Sequence, residues 1–255
     1  MSEDSTQNTK SFGREMWDLI KVIVEALLIA AVIRTFIFGL VVIPSASMVP
    51  TLLIGDYLYV TKYAYGYSKH SFPFSAAPFS GRIFGTEPKL GDIVVFRGAD
   101  KKTDYIKRLV GLPGDKIQMI EGTLHINGRS VPKVKIADFV ETDKYGNKKT
   151  QQRNLETLPN GVKHNTLDYG STRADNTNVF EIPSGHYFMM GDSRDNSNDS
   201  RFQDSVRMVA FEDIVGRADF VLLSLANGGS FMEFWNWPDN IRTDRMFTSL
   251  DKVIE

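Results

Sequence analysis

The amino-acid sequence predicts a mainly β protein behind one membrane-length helix, and three observations carry that prediction. From Leu19 to Val42 the chain is largely apolar, with Lys21, Glu25 and Arg34 as its only charges. Beyond it, short segments rich in Val, Ile, Phe and Tyr are separated by Gly- and Pro-containing turns, the pattern of strands. Asn127-Gly128 stands between two such segments, and this pair favours a type I′ hairpin turn.

The elements follow in order. Residues 1–16 are polar and rich in Ser, Thr, Asn and Gln, and read as a disordered tail. Residues 17–41 read as a transmembrane helix. Leu19 to Leu40 as one helix rises about 33 Å at about 1.5 Å per residue, close to the bilayer core. Lys21 and Glu25 stand four apart and can pair, while Arg34 is near enough to the far end to snorkel. The apolar run is too long for a removable signal, and no small-residue cleavage site follows it. Lys10, Arg14 and Lys21 precede or open the span, which puts the N-terminus in the cytoplasm, because acidic neighbours count little in that rule.

The remaining residues, 42–255, form one domain. Strands are expected at Tyr57–Tyr63, Asp92–Arg97, Tyr105–Val110, Lys116–Ile120, His186–Met190 and Val215–Leu223. A hairpin is expected over Thr123–Ile126 and Arg129–Val134, and a turn at Leu112-Pro113-Gly114-Asp115. Two stretches read as insertions: about 66–88, rich in aromatic, Ser, Gly and Pro residues, and about 135–180, polar and forming a peripheral subdomain with weak strands. Phe231, Phe234, Trp235 and Trp237 cluster near the C-terminus. They fit either a core cluster or a patch at a membrane interface.

Composition narrows the function. A chain of 255 residues with 42% hydrophobic and 24% charged residues builds a sizeable core. A net charge of −1 gives no case for nucleic acid as partner. Cys is absent, so thiol nucleophiles, disulfides and thiolate metal sites are excluded together, while the redox compartment stays undecided. His70, His125, His164 and His186 are scattered and read as surface or packing residues. No G-x-S-x-G, H-E-x-x-H, P-loop or G-x-G-x-x-G occurs.

Three segments carry reactive groups where a bland strand or loop would not. Ser45 and Ser47 lie between Pro44 and Pro50, on backbone that both prolines stiffen. A rigid linker is the plain alternative. Lys107 falls in an apolar strand, two residues from Tyr105 and so on its face. Burial there would lower its pKa and make it a base, although an exposed edge-strand Lys is the commoner case. Gly191 to Arg201 concentrates Asp, Arg, Asn and Ser. It lacks the Gly and closing Glu of a calcium loop, and its two Arg residues would repel a cation, so a paired Asp/Arg scaffold beside a site is the better reading.

Taken together, PSASMVPTL, GDIVVF, YIKRLVGLPGD and GDSRDNSNDSR, in that order after an apolar helix, resemble the signature segments of bacterial type I signal peptidases. The four span residues 44–201, and their joint pattern is specific where any one alone is weak. The resemblance implies a largely antiparallel β-sheet or barrel-like catalytic domain with a shallow hydrophobic groove. It implies Ser47 as nucleophile and Lys107 as general base, with the Ser45 hydroxyl and the Ser47 N–H as oxyanion hole. Ser197 would orient Lys107, supported by Asp192, Arg194, Asp199 and Arg201. Ile43, Leu52, Tyr105 and Ile106 would line the substrate pockets. No cofactor or metal is implied. The implied partners are preproteins with signal peptides emerging from the secretion machinery, and membrane lipid. The implied place is the bacterial cytoplasmic membrane, single-pass, with the catalytic domain on the outer side. Ala46 stands where many relatives have Gly, and one span precedes the domain where several relatives have two.

Three rival functions share features of this chain. A self-cleaving Ser/Lys repressor would need a DNA-binding N-terminus, which is apolar here. A membrane-anchored binding module would keep Ser47 and Lys107 apart. A dedicated processing peptidase would cut one preprotein rather than many.

Overall fold

The structure, a computed structural model, describes residues 12–72, 78–142, 147–204, 206–226, 229 and 231–251. Its first element is the helix Phe12–Phe36. The helix starts earlier than residue 17 and stops short of 41, because Phe38–Val42 leaves it to form a strand. Gly39 is a poor helix residue, costing about 1 kcal/mol there, and the five residues from Phe38 to Val42 instead pair antiparallel with Thr61 to Tyr57. The part of the expected tail over residues 1–11 lies outside the described residues. Lys21 pairs with Asp18 at 3.8 Å, three residues away, and not with Glu25. Leu27, Leu28, Ile29 and Val32 are exposed along the helix. Arg14, Glu15, Asp18, Lys21, Glu25 and Arg34 interrupt its apolar run, and among the described residues no helix is long and apolar enough to cross a membrane.

The main sheet has eight strands. Its order is Phe38–Val42, Asp56–Thr61, Ile214–Ser224, Ile93–Arg97, Asp104–Gly111, His186–Met190 and Val209–Ala210, with Thr248–Ser249 added on Ile214–Ser224. Its pairings are antiparallel, and register shifts along Ile214–Ser224 mark bulges. Such bulges bend a strand and increase its twist, which curls the sheet. Most strands expected from sequence fall within one or two residues of those observed, and Lys116–Ile120, Thr123–Ile126 and His186–Met190 coincide. The expected Arg129–Val134 instead ends at Ser130, and Lys133 and Val134 belong to a strand of another sheet. The Asn127-Gly128 turn has positive φ at both residues, 54° and 77°, as a type I′ turn requires.

Three buried clusters fill the interior. One centres on Ile43, Met48, Leu52, Leu58 and Val60, and another on Val94, Phe96, Leu109 and Tyr187. The third centres on Ile117, Leu124, Leu158 and Phe188, under the sheet made by Lys116–Ile120, Thr123–Ile126, Arg129–Ser130 and Phe180–Glu181.

The stretch 66–88 holds a short hairpin, Tyr67–Ser68 with Arg82–Ile83. Arg82 ties it to the main sheet by donating to the carbonyls of Tyr65, Gly66, Phe211 and Ile214. The stretch 135–180 is more ordered than its polar composition suggested. Lys133–Lys135, Phe139–Thr142, Lys148–Thr157 and Lys163–Asp168 form a four-stranded sheet. Its longest strand has ten residues. The C-terminal aromatic residues are not a core cluster: Phe231, Phe234 and Trp235 are more than half exposed, and Trp237 is only partly buried.

Candidate active site

Ser47 sits in a 3-10 turn, Ala46–Met48, entered from Ser45 in extended conformation. The turn is pinned from inside, since Met48, Val49 and Leu52 are buried and Leu52 N–H donates to the Met48 carbonyl at 2.9 Å. The Val49–Pro50 peptide is cis. The buried Met48, Val49 and Leu52 hold the turn so that the Ser47 side chain faces the strand Asp104–Gly111.

Lys107 meets it there. The strand register sets Lys107 opposite Val94 and Tyr105 opposite Phe96, so the long Lys stem runs along apolar surface. Lys107 is 3% exposed, and its amine lies 2.7 Å from Ser47 Oγ and 3.0 Å from the Ile106 carbonyl. Burial pulls the Lys107 pKa down to about 8, against the smaller upward pull of Asp199 and Asp192. Ser45 Oγ lies 3.4 Å from Ser47 Oγ.

The loop Gly191–Arg201 closes one side. Ser193 N–H donates to the Ser47 carbonyl at 3.1 Å. A Cβ on Gly191 would collide with Ser197 Oγ and stand 2.5 Å from the Ser47 carbonyl oxygen, so only glycine fits that approach. Ser197 lines the cavity with its hydroxyl buried, but it makes no hydrogen bond to Lys107 among the described residues. The Lys107 amine is held instead by Ser47 and the carbonyl of its own strand.

Pairing in this loop is only partly internal. Asp199 takes two hydrogen bonds from the Arg201 side chain, both at 2.9 Å, and one from Gly191 N–H at 3.0 Å. Asp192 pairs outward with Arg108, and Thr51 Oγ1 donates to it at 2.5 Å. Arg194 reaches further, to Glu156 on the inserted sheet, at 2.5 and 2.8 Å. Burial would raise the carboxyl pKa values of Asp192, Asp199 and Glu156, yet each is held below the ordinary range by its arginine. All three acids are ionised and compensated.

The cavity measures about 560 Å³ and is lined by Ser45, Ser47, Tyr105 and Lys107. Arg173, Phe202 and Asp204 also line it. It is more polar than the hydrophobic groove expected. Of the four expected substrate contacts Tyr105 lines it, whereas Ile43, Leu52 and Ile106 pack into the main core. Strand alternation explains Ile106, which points to the face opposite Tyr105 and Lys107. Sequence reasoning missed Thr51, Arg108, Glu156, His164 and Gly191. Arg108 carried a signal, a second charge in an apolar strand; Glu156, one acid in a polar strand, carried none.

These atoms set a hydroxyl against a buried amine, an arrangement in which an amine can take a hydroxyl proton. The family model described as signal peptidase, peptidase S26, matches residues 16–223. Signal peptidase I of Rickettsia typhi is 37% identical, with all of both chains covered. Its counterpart in Rickettsia prowazekii is 36% identical, again over the whole of both chains. A crystal structure of signal peptidase I from Enterococcus faecalis aligns with 52% of this chain and 97% of that one, at 23% identity and a TM-score of 0.30. The chain therefore belongs to the signal peptidase family, and it is an enzyme, a serine endopeptidase. Signal-peptide removal is the activity that membership assigns.

Proposed function

We propose that this chain is a membrane-anchored endopeptidase that removes signal peptides from secreted preproteins by cutting after an A-x-A-like motif, with Ser47 and Lys107 as its catalytic pair. The observation that carries the reading is the 2.7 Å contact between Lys107 Nζ and Ser47 Oγ, with the Lys107 side chain buried. It also disfavours an inactive binding module, which would keep the two apart.

The chemistry follows from that contact. Neutral Lys107 takes the Ser47 proton as Oγ attacks the scissile carbonyl. The oxyanion is held by the Ser47 N–H and the Ser45 hydroxyl, each donor worth about 3 kcal/mol of barrier. The intermediate collapses, Lys107 returns the proton to the leaving amine, and an acyl-enzyme remains. Water, losing a proton to the same amine, then hydrolyses the ester and frees Ser47. With one N–H of Lys107 on the Ile106 carbonyl, Ser197 is the group placed to orient the amine once substrate fills the cavity. Asp192, Arg194, Asp199 and Arg201 fix the wall on which Ser197 stands. Tyr105 contacts substrate, while Ile43, Leu52 and Ile106 shape its pockets from behind.

The helix Phe12–Phe36 is the proposed anchor, with its N-terminus cytoplasmic and the catalytic domain outside the cytoplasmic membrane. Its exposed Leu27, Leu28, Ile29 and Val32 support association with lipid. Anchoring raises the effective concentration of a substrate that is itself membrane-inserted as it leaves the secretion machinery.

The test is cleavage of two unrelated preproteins ending in A-x-A by detergent-solubilised wild type, Ser47→Ala and Lys107→Ala. Wild type cuts both after the A-x-A, and both folded variants are inert. Equal behaviour of all three would remove the pair from the mechanism, and cleavage of one preprotein alone would make this a dedicated peptidase.

A further inference from the structure

The loop 191–201 is gripped along its length by the inserted sheet and the segment after it. Leu167, on the strand Lys163–Asp168, donates its N–H to the Asp192 carbonyl at 2.9 Å and bridges to Ser193. Tyr169 N–H and the Thr172 hydroxyl donate to the Asp195 carboxylate at 2.7 and 3.0 Å. At the centre stands Glu156, 0% exposed, on the strand Lys148–Thr157. Both of its oxygens take hydrogen bonds from Arg194.

A buried ion pair is weak evidence for stability, because desolvating two charges offsets most of their attraction, and apolar residues of the same volume often do as well. What the pair does supply is direction. Arg194 lies between Ser193, whose N–H holds the Ser47 carbonyl, and Ser197 in the cavity wall. Its own carbonyl accepts from Arg201, which holds Asp199, which in turn accepts from Gly191 N–H. Hydrogen bonds and chain adjacency therefore run from Glu156 through Arg194 to Ser193, which holds the Ser47 carbonyl, and through Arg201 and Asp199 to Gly191.

We infer that Glu156 is a positioning residue for catalysis, which through Arg194 presses the 191–201 loop against Ser47 and Lys107, so that the inserted sheet belongs to the catalytic apparatus. The inference rests on Ser47 and Lys107 being the catalytic pair. Its consequence is electrostatic. The loop residues Asn196, Ser197 and Asn198 line the same cavity as Lys107, and burial is the main cause of its lowered pKa. Lys107 is faced by Asp192 and Asp199 from the loop, by Ser47, and by the Tyr105 ring on its own strand. Glu156 is faced by Arg194, His164 and Asp192. His164, with its Nε2 3.4 Å from Glu156, stays neutral over the working range, since burial pulls its pKa to about 4. Without the Glu156 charge, Arg194 is left buried and unpaired, the loop lifts, and water reaches the amine.

The experiment compares wild type, Glu156→Gln and Arg194→Lys as full chains in detergent. Glu181→Gln, which breaks an exposed ion pair with Lys116, serves as control. Steady-state cleavage of a preprotein gives kcat, KM and the pH profile of kcat/KM. The 13C NMR titration of the Lys107 side chain is recorded without substrate. Glu156→Gln is expected to lower kcat about tenfold or more with KM within about twofold. The Lys107 midpoint should rise by about one pH unit in both measurements, with Glu181→Gln matching wild type. A folded Glu156→Gln with the wild-type profile and titration overturns the inference. Should Glu156→Gln not fold, Arg194→Lys, which keeps the charge with fewer contacts, decides: its midpoint must rise, and an unmoved one overturns the inference equally. A wild type inert toward preprotein would sink the functional reading alone, since the NMR titration still decides the role of Glu156.

Discussion

Arg108 and Asp192 face each other through two hydrogen bonds, Nε to Oδ1 at 2.8 Å and Nη2 to Oδ2 at 2.7 Å, with both side chains buried. The pair joins the residue after Lys107 to the residue after Gly191. It therefore sets the distance between the strand that carries the amine and the loop that covers it. Arg108 also donates to the Gly91 carbonyl at 2.9 Å, which leaves it little freedom to follow a moving partner.

Breaking that pair from one side is expected to be severe. Asp192→Asn leaves a buried guanidinium uncompensated, which costs about 3–5 kcal/mol. At about 2–4 °C per kcal/mol for a chain of this size, thermal unfolding should shift down by roughly 10 °C. The double variant Arg108→Met with Asp192→Leu removes both charges and should recover much of the loss. A melting point for Asp192→Asn within about 2 °C of wild type, on the same scale, would show that the pair is not what holds the loop.

The lowered pKa of Lys107 makes a prediction of opposite sign. Its folded value of about 8 lies below the ordinary 10.5, so between these pH values the unfolded chain binds more protons and stability rises with pH. Below pH 8 the buried ammonium is a burden of about 3 kcal/mol, because each pH unit between the two values is worth about 1.36 kcal/mol. Lys107→Met, inert as an enzyme, should melt higher than wild type at pH 7, and the gap should narrow by pH 10. Activity should climb through pH 8 as the amine loses its proton. A Lys107→Met that melts lower at pH 7 would mean that the amine is stabilised rather than strained.

Gly191 tests the closeness of the loop and Ser47. Gly191→Ala drives a Cβ into Ser197 and the Ser47 carbonyl, so the loop or the turn must shift. Overpacking of this kind costs about 1–3 kcal/mol, and a displacement of about 1 Å at a reacting group lowers kcat about 100-fold. Preprotein cleavage by folded Gly191→Ala at near wild-type kcat would show that Ser197 and the Ser47 backbone need not be held together.

The sequence marked this site where polar residues break an apolar pattern. Lys107 in its strand, Ser45 and Ser47 between prolines, and the Asp- and Arg-rich run from Asp192 to Arg201 all stand out against their neighbours, and the structure brings them together. Local pattern could not show which Asp meets which Arg. Asp192 finds Arg108 from 84 positions away, and Arg194 finds Glu156 from 38. Such partners are chosen by the tertiary fold. The same limit explains the helix end. Gly39 is a weak local signal in an apolar run, and the strand Asp56–Thr61 lying alongside decides where the helix ends. It explains the pockets too, because the family resemblance that implied Ile43, Leu52 and Ile106 as pocket residues does not fix which way each side chain points in this fold.

Anchoring separates two apolar surfaces. The helix Phe12–Phe36 exposes Leu27, Leu28, Ile29 and Val32, while Phe231, Phe234 and Trp235 are exposed far along the chain. Phe231 packs on Tyr57 and Trp237, with ring centroids 6.1 and 5.4 Å apart, so its aromatic surface continues onto the sheet. Aromatic rings at an interface bind reversibly, whereas an inserted apolar helix does so far more tenaciously. Deleting residues 1–36 should therefore move the protein from a membrane fraction that resists alkaline extraction to one released by it, with cleavage of a soluble A-x-A peptide retained. Changing Phe231, Phe234 and Trp235 to Ser in that shortened chain should then abolish residual binding to phospholipid vesicles. A shortened chain that still resists alkaline extraction would move the anchor from the helix to the aromatic surface, and the triple variant would say whether those three residues form it.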